Sequence, residues 1–178
     1  MLRSLLFLCI ALSCSVARAQ HWTDLADVPQ DLRQPNWIGT AGEGSCFHAS
    51  IVSALNWLGQ DEMAAWWKQT YSNGEYARRA LERLDAAGLR YVFTQSGDIA
   101  VLEYAARNRL IVTLPYKPYH AINLVDLTAT HAVLLDNNSV GQFEYVPRAE
   151  FEQRWRQEFG GIAIVLLGTP APPWPRTP

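Results

Sequence analysis

Apolar positions along the chain change period part-way. Phe47, Ile51, Leu55 and Leu58 recur at helical spacing with Ala49, Val52 and Ala54 between them, which predicts a buried helix closed by Gly59. Asp61 to Thr70 predicts a second helix. Glu75 to Ala87 predicts a third, closed by Gly88 and leading into the strand-like run Leu89 to Phe93. Ser96, Gly97 and Asp98 cap a fourth helix, Ile99 to Asn108, which delivers a short strand, Leu110 to Leu114. From Tyr119 the pattern is that of strands: Tyr119 to Asp126, Thr130 to Leu135 and Gln142 to Val146. A helix, Arg148 to Phe159, and a last strand, Gly161 to Leu167, follow. Helices gathered ahead of strands make an α+β fold, not an alternating parallel one.

The two ends differ from this middle. Arg3, the apolar stretch Ser4 to Val16 and the A-x-A pattern Ala17-Arg18-Ala19 read as a secretory signal over residues 1–19, with the mature chain starting at Gln20. That apolar run is shorter than a bilayer span and is broken by serines, so no stable membrane insertion is expected once it is removed. Residues 20–38 form an entry segment that carries prolines and tryptophans. Residues 168–178 are proline-rich and predict an extended, poorly ordered tail. Removing 19 of 178 residues leaves 159, enough for one domain with a proper core.

Charge excludes one class of partner. Without Arg3 and Arg18, 13 basic residues face 17 acidic ones, a formal charge of −4, and no Lys/Arg cluster is present to bind nucleic acid. Cys9 and Cys14 leave with the signal, so Cys46 is the one thiol of an exported, periplasmic or secreted chain. Cysteines in such chains are usually paired, and an unpaired one calls for a reason. A buried small hydrophobe or an intermolecular disulfide would be the plain explanations.

The surroundings of Cys46 supply a different one. It follows the glycine-rich loop Gly39 to Ser45 and opens the buried helix, where unsatisfied N–H groups and the helix dipole favour a thiolate. Its own N–H would point at a developing oxyanion. The base must come from His21, His48, His120 or His131. His21 is two residues from the mature N-terminus. His48, two positions after Cys46, points roughly 200° away around the helix and is expected at the helix surface or hydrogen-bonded to a neighbouring loop. His120 and His131 lie on strands that Asp126 to Thr130 can join as a hairpin. Symmetry about Thr128 puts His120 opposite Asp136, a base with its orienting carboxylate, and turns His131, opposite Val125, to the other face. Asn137 and Asn138 are alternative orienters, since an amide can do the same positional work. Cys46 and His48 cannot make up the four ligands of a closed zinc site, so no metal and no cofactor is expected.

With Gly44-Ser45-Cys46-Phe47-His48-Ala49-Ser50 opening the long helix, His120-Ala121-Ile122-Asn123-Leu124-Val125 as a histidine strand and Val133-Leu134-Leu135-Asp136-Asn137 as an acid strand, the chain resembles the papain-like cysteine peptidases. Among them it is similar to the bacteriocin-leader peptidases that cut after a double glycine and to their stand-alone relatives. The order Cys, His, Asp and the segment Ala149 to Trp155 before a final apolar strand belong to the same likeness. The resemblance implies a papain-like peptidase domain over residues 39–167 and a catalytic Cys46–His120–Asp136 triad. It also implies a Gln about six residues before the cysteine to complete the oxyanion hole. Thr40 stands there, and Gln34 and Asn36, further upstream, are the other oxyanion candidates.

The expected activity is hydrolysis of a peptide bond in an extracytoplasmic peptide or protein through an acyl-enzyme. An amidase or acyl transferase on cell-wall peptides would use the same chemistry. A peptide-binding module of the same fold would not use it, and Thr40 favours that reading. Trp37, Trp66 and Trp67 are candidates to line a substrate groove, although adjacent tryptophans on a helix more often place one in the core and one at its rim.

Overall fold

The computed structural model describes residues 28–168. The expected secretory signal and the proline-rich run from Thr169 onward lie outside the described residues. Within them are five α-helices: α1 (Cys46–Trp57), α2 (Asp61–Thr70), α3 (Ala77–Ala86), α4 (Ile99–Arg107) and α5 (Arg148–Gln157). The strands are β1 (Tyr91–Thr94), β2 (Val112–Lys117), β3 (His120–Leu127), β4 (His131–Leu135), β5 (Glu144–Pro147) and β6 (Ala163–Leu166). They form one antiparallel sheet in the order β1-β6-β2-β3-β4-β5. No helix among the described residues is long and apolar enough to cross a membrane.

Alternation along the strands sorts side chains onto two apolar layers. Ala121, Val125, Val133 and Leu135 meet α1, α2 and α3 through Ile51, Leu55, Trp67 and Leu84. Ile122, Leu124 and Leu134 meet α4 and α5 through Leu102, Phe151 and Trp155. Covered on both sides, the central strands read as nearly continuous apolar runs. The helix α1 is buried nearly all round, as its sequence demands. Each fully buried Ile, Leu or Phe on it contributes about 1.5–3 kcal/mol. It stops at Gly59, whose φ of 67° lets Gly59 N donate to Asn56 O and Gln60 N to Leu55 O, a Schellman cap.

Three departures from the sequence expectation have local causes. Helix α3 starts at Ala77, not Glu75, because residues 71–76 are spent on a loop over α1, where Glu75 accepts from Arg83 Nη2 at 2.9 Å. Strand β2 runs on through Pro115 to Lys117. It pairs with β6 only at Val112 and Thr113, so the missing N–H of Pro115 costs no ladder bond on that side. The β3–β4 register is two residues off the predicted one. Asn123 pairs with Leu135 and Leu124 with Leu134, then a bulge at Val125 shifts the ladder so that Asp126 meets Val133.

Candidate active site

Cys46 is held by a small hairpin that precedes it. Ile38 pairs with Gly44, and Trp37 O accepts from Ser45 N at 2.9 Å. The hairpin leans on the loop after α2. Asn73 Oδ1 accepts from Ala41 N at 2.9 Å and Thr40 Oγ1 at 3.3 Å, and Ser45 Oγ donates to Ser72 O. Gly39 lies so close to Ser72 O that a Cβ there would collide with that backbone. The thiol is thus presented at the first residue of α1, the end where leading N–H groups lack intrahelical partners.

His120 and Asp136 meet although the predicted pairing was wrong. Continuing the observed ladder from Asn123 and Leu135 puts Asn138, not Asp136, opposite His120. A two-residue slip preserves the face, however, and leaves Asp136 one diagonal step away, within reach of a long side chain. His120 Nε2 lies 2.7 Å from Asp136 Oδ1. Cys46 Sγ lies against the backbone on either side of His120, 3.4 Å from Ala121 N and 4.0 Å from Tyr119 O, and the titrations of thiol and imidazole shift one another.

Charges in this chain support one another. Burial alone would push the Cys46 thiol up, but the His120 hydrogen bond and the amides of Ala121 and Phe47 hold it below its ordinary value; Ala121 N lies 3.4 Å from Sγ. Burial would likewise lower His120, yet its bonds to Cys46 and Asp136 raise it. Asp136, despite burial, is held below the usual carboxylate range by Lys117, His120 and the Asn138 amide. A thiolate–imidazolium pair is the state these shifts favour.

The remaining candidates separate. Thr40 is exposed and tied to Asn73. Gln34 accepts from Lys68 at 3.1 Å and donates to Pro35 O. Asn36 alone sits at the foot of the hairpin. Its Nδ2 lies 3.3 Å from where a Gly44 Cβ would be, against the strand of the hairpin that leads to Cys46. Asn36 Nδ2 also donates to Asn138 Oδ1 at 2.9 Å. Asn137 does not face the imidazole: its Nδ2 reaches Cys46 O, Ser50 Oγ and Ala121 O, clamping α1 to the histidine strand. His131 Nδ1 contacts Thr130 Oγ1 at the far end of β3 and β4.

His48 turns away from Cys46, as helical spacing predicts, but it is not at the surface. It is fully buried, stacked on Tyr71, with Nδ1 accepting from Trp67 Nε1 at 3.1 Å. The helix α2 and the 71–76 loop cover that side of α1, which no helical period could foretell. Trp67 is buried and Trp66 is 43% exposed, the split expected of such a pair.

Two residues near the site carry no sequence signal that singled them out. Lys117 Nζ donates to Asp136 Oδ2 at 2.6 Å. Tyr119, 98% exposed, ends the two-residue turn Pro118–Tyr119 with a φ of 54°, and its carbonyl lies 4.0 Å from Cys46 Sγ. A proline followed by a left-handed residue makes a type II turn, whose second position favours glycine. Tyr119→Gly should therefore stabilise the protein, by up to about 1 kcal/mol. Thermal unfolding checks this, and a lower midpoint would mean the ring does packing work that its exposure denies.

Comparison with solved structures fits this architecture. The peptidase domain of Streptococcus ComA, a bifunctional ABC transporter of a quorum-sensing pathway, superposes with a TM-score of 0.55 at 15% identity, covering 77% of this chain and 98% of that one. The chain has a papain-like peptidase fold. A double-glycine-motif protease from an AMS/PCAT transporter, solved with its leader peptide, is also similar, with a TM-score of 0.47, 17% identity and coverage of 71% and 85%. No protein-family model matches the chain, and no curated protein matches it in sequence.

Proposed function

We propose that this chain is an exported cysteine peptidase that cleaves peptide bonds through Cys46, His120 and Asp136. The observation that carries the reading is a thiol at the start of α1 seated against the backbone on either side of His120, whose imidazole lies 2.7 Å from the Asp136 carboxylate. In the first step the thiolate attacks the scissile carbonyl carbon, and a C–S bond forms as the C=O electrons move to oxygen. The Cys46 N–H and the Asn36 amide take up that oxyanion. The C–N bond then breaks while His120 gives its proton to the leaving amine. Water, deprotonated by His120, cleaves the thioester and returns the thiolate. Asp136 holds the ring so that Nδ1 faces sulfur throughout. Export rests on the residues 1–19 pattern.

The test is incubation of the purified protein with a peptide library and, separately, with cell-wall stem peptides, followed by mass spectrometry of new termini. New peptide termini with the wild type and none with Cys46→Ala are expected. Turnover of stem peptides alone would make the protein an amidase of the wall, and turnover of neither would leave a peptide-binding module.

A further inference from the structure

We propose that Lys117 is a positioning residue of this site, a cationic bracket that fixes Asp136 from the side opposite His120. The proposal rests on the peptidase reading for its catalytic consequence, but its geometry stands apart. Strands β2 and β3 would run in register to their turn were it not for one extra residue. Pro115 pairs with Ala121, the next pair is Lys117 with His120, and Tyr116 is the residue left over. A bulge of this kind re-aims side chains and is common beside active sites. Without it Tyr116 would stand opposite His120, whereas with it the lysine does, and directly opposed residues share a face. Lysine and histidine then converge on one carboxylate, His120 on Oδ1 at 2.7 Å and Lys117 on Oδ2 at 2.6 Å.

A second anchor holds the lysine in place. Lys117 Nζ also donates to Glu144 Oε1 at 2.7 Å, at the start of β5. The ammonium thus spans β2, the end of β4 and β5, and the groups facing it are Asp136 and Glu144. The bracket has two effects. It prevents rotation of the carboxylate away from the imidazole, and it offsets part of the Asp136 charge felt by His120 and Cys46. Alternating charges along Cys46, His120, Asp136, Lys117 and Glu144 make opposite predictions for the last two members.

The readout is the pH dependence of Cys46 alkylation by iodoacetamide, with the kcat and KM of peptide cleavage beside it. Lys117→Met removes a cation, which disfavours the thiolate and favours the imidazolium, so the alkylation curve, and with it the alkaline fall in cleavage, should move up by about half a pH unit. Its kcat should fall about 10-fold with KM little changed, as expected for lost orientation. Glu144→Gln removes an anion from a partly exposed strand start and should move the alkylation curve and the alkaline fall in cleavage the other way. Lys117→Arg should keep the wild-type profile. Profiles of Lys117→Met and Glu144→Gln that superimpose on the wild type would overturn the proposal. Should Lys117→Met not fold, an unmoved Glu144→Gln profile overturns it alone. Alkylation needs no peptide, so failure of the wild type to cleave any peptide would sink the peptidase reading while leaving the bracket to be judged on these shifts.

Discussion

His120→Ala should lower kcat/KM for peptide cleavage by about 10⁴-fold, the contribution of a positioned general acid–base. It should also change the thiol itself. In the intact protein Cys46 lies below its ordinary value and His120 above its own, and both shifts favour the reactive thiolate–imidazolium pair. As pH rises, reactivity appears when the thiol ionises, earlier than for a free cysteine at about 8.5, and cleavage falls again when the imidazolium loses its proton. Without His120, burial is opposed only by the amides of Ala121 and Phe47. Alkylation should then follow an ordinary or later thiol curve, and the alkaline fall in cleavage should vanish. An unaltered alkylation curve would sink the pairing of Cys46 with His120. Circular dichroism of the variant, expected to match the wild type, separates this from unfolding.

What could be read in the sequence was whatever depends on local period. The helix α1, its glycine stop and the placing of Cys46 at its start follow from the spacing of Phe47, Ile51, Leu55 and Leu58 and from Gly59. His120 and Asp136 were legible as a pair because strand side chains alternate with period two, so a prediction two residues out of register still put them on one face. What depends on bulges was not legible. Neither the extra residue at Val125 nor the one at Tyr116 has a signature in the apolar pattern, and the second decides that Lys117 meets Asp136. The insertion of β6 between β1 and β2 was hidden for a related reason, since a short, wholly buried run such as Ala163–Leu166 fits any interior place in a sheet. Of the two places that helical spacing offers His48, the helix surface is excluded because burial is imposed by residues about twenty positions away, Trp67 and Tyr71.

Asn36→Ala should reduce kcat by about 10²- to 10³-fold, the loss measured when one oxyanion donor is removed elsewhere. Counting six residues back from Cys46 finds Thr40, which Asn73 holds on an exposed hairpin. That count assumes an open loop. Here residues 38–44 close on themselves through the Ile38–Gly44 bridge, which leaves residue 36, not residue 40, at the foot of the hairpin near Gly44. An amide has two N–H bonds, and Asn138 Oδ1 takes one at 2.9 Å, which fixes the group and leaves the other for substrate oxygen. The effect should therefore be confined to the acyl step. Alkylation of Cys46, which develops no oxyanion, should proceed at the wild-type rate in Asn36→Ala. Thr40→Ala and Gln34→Ala, whose partners are Asn73, Lys68 and Pro35, should stay within about threefold of wild type, as expected for residues that contribute nothing specific to the transition state. If Thr40→Ala proves the damaging change and Asn36→Ala the silent one, the hairpin must open when substrate binds. The oxyanion donor would then be the residue that the linear count indicates.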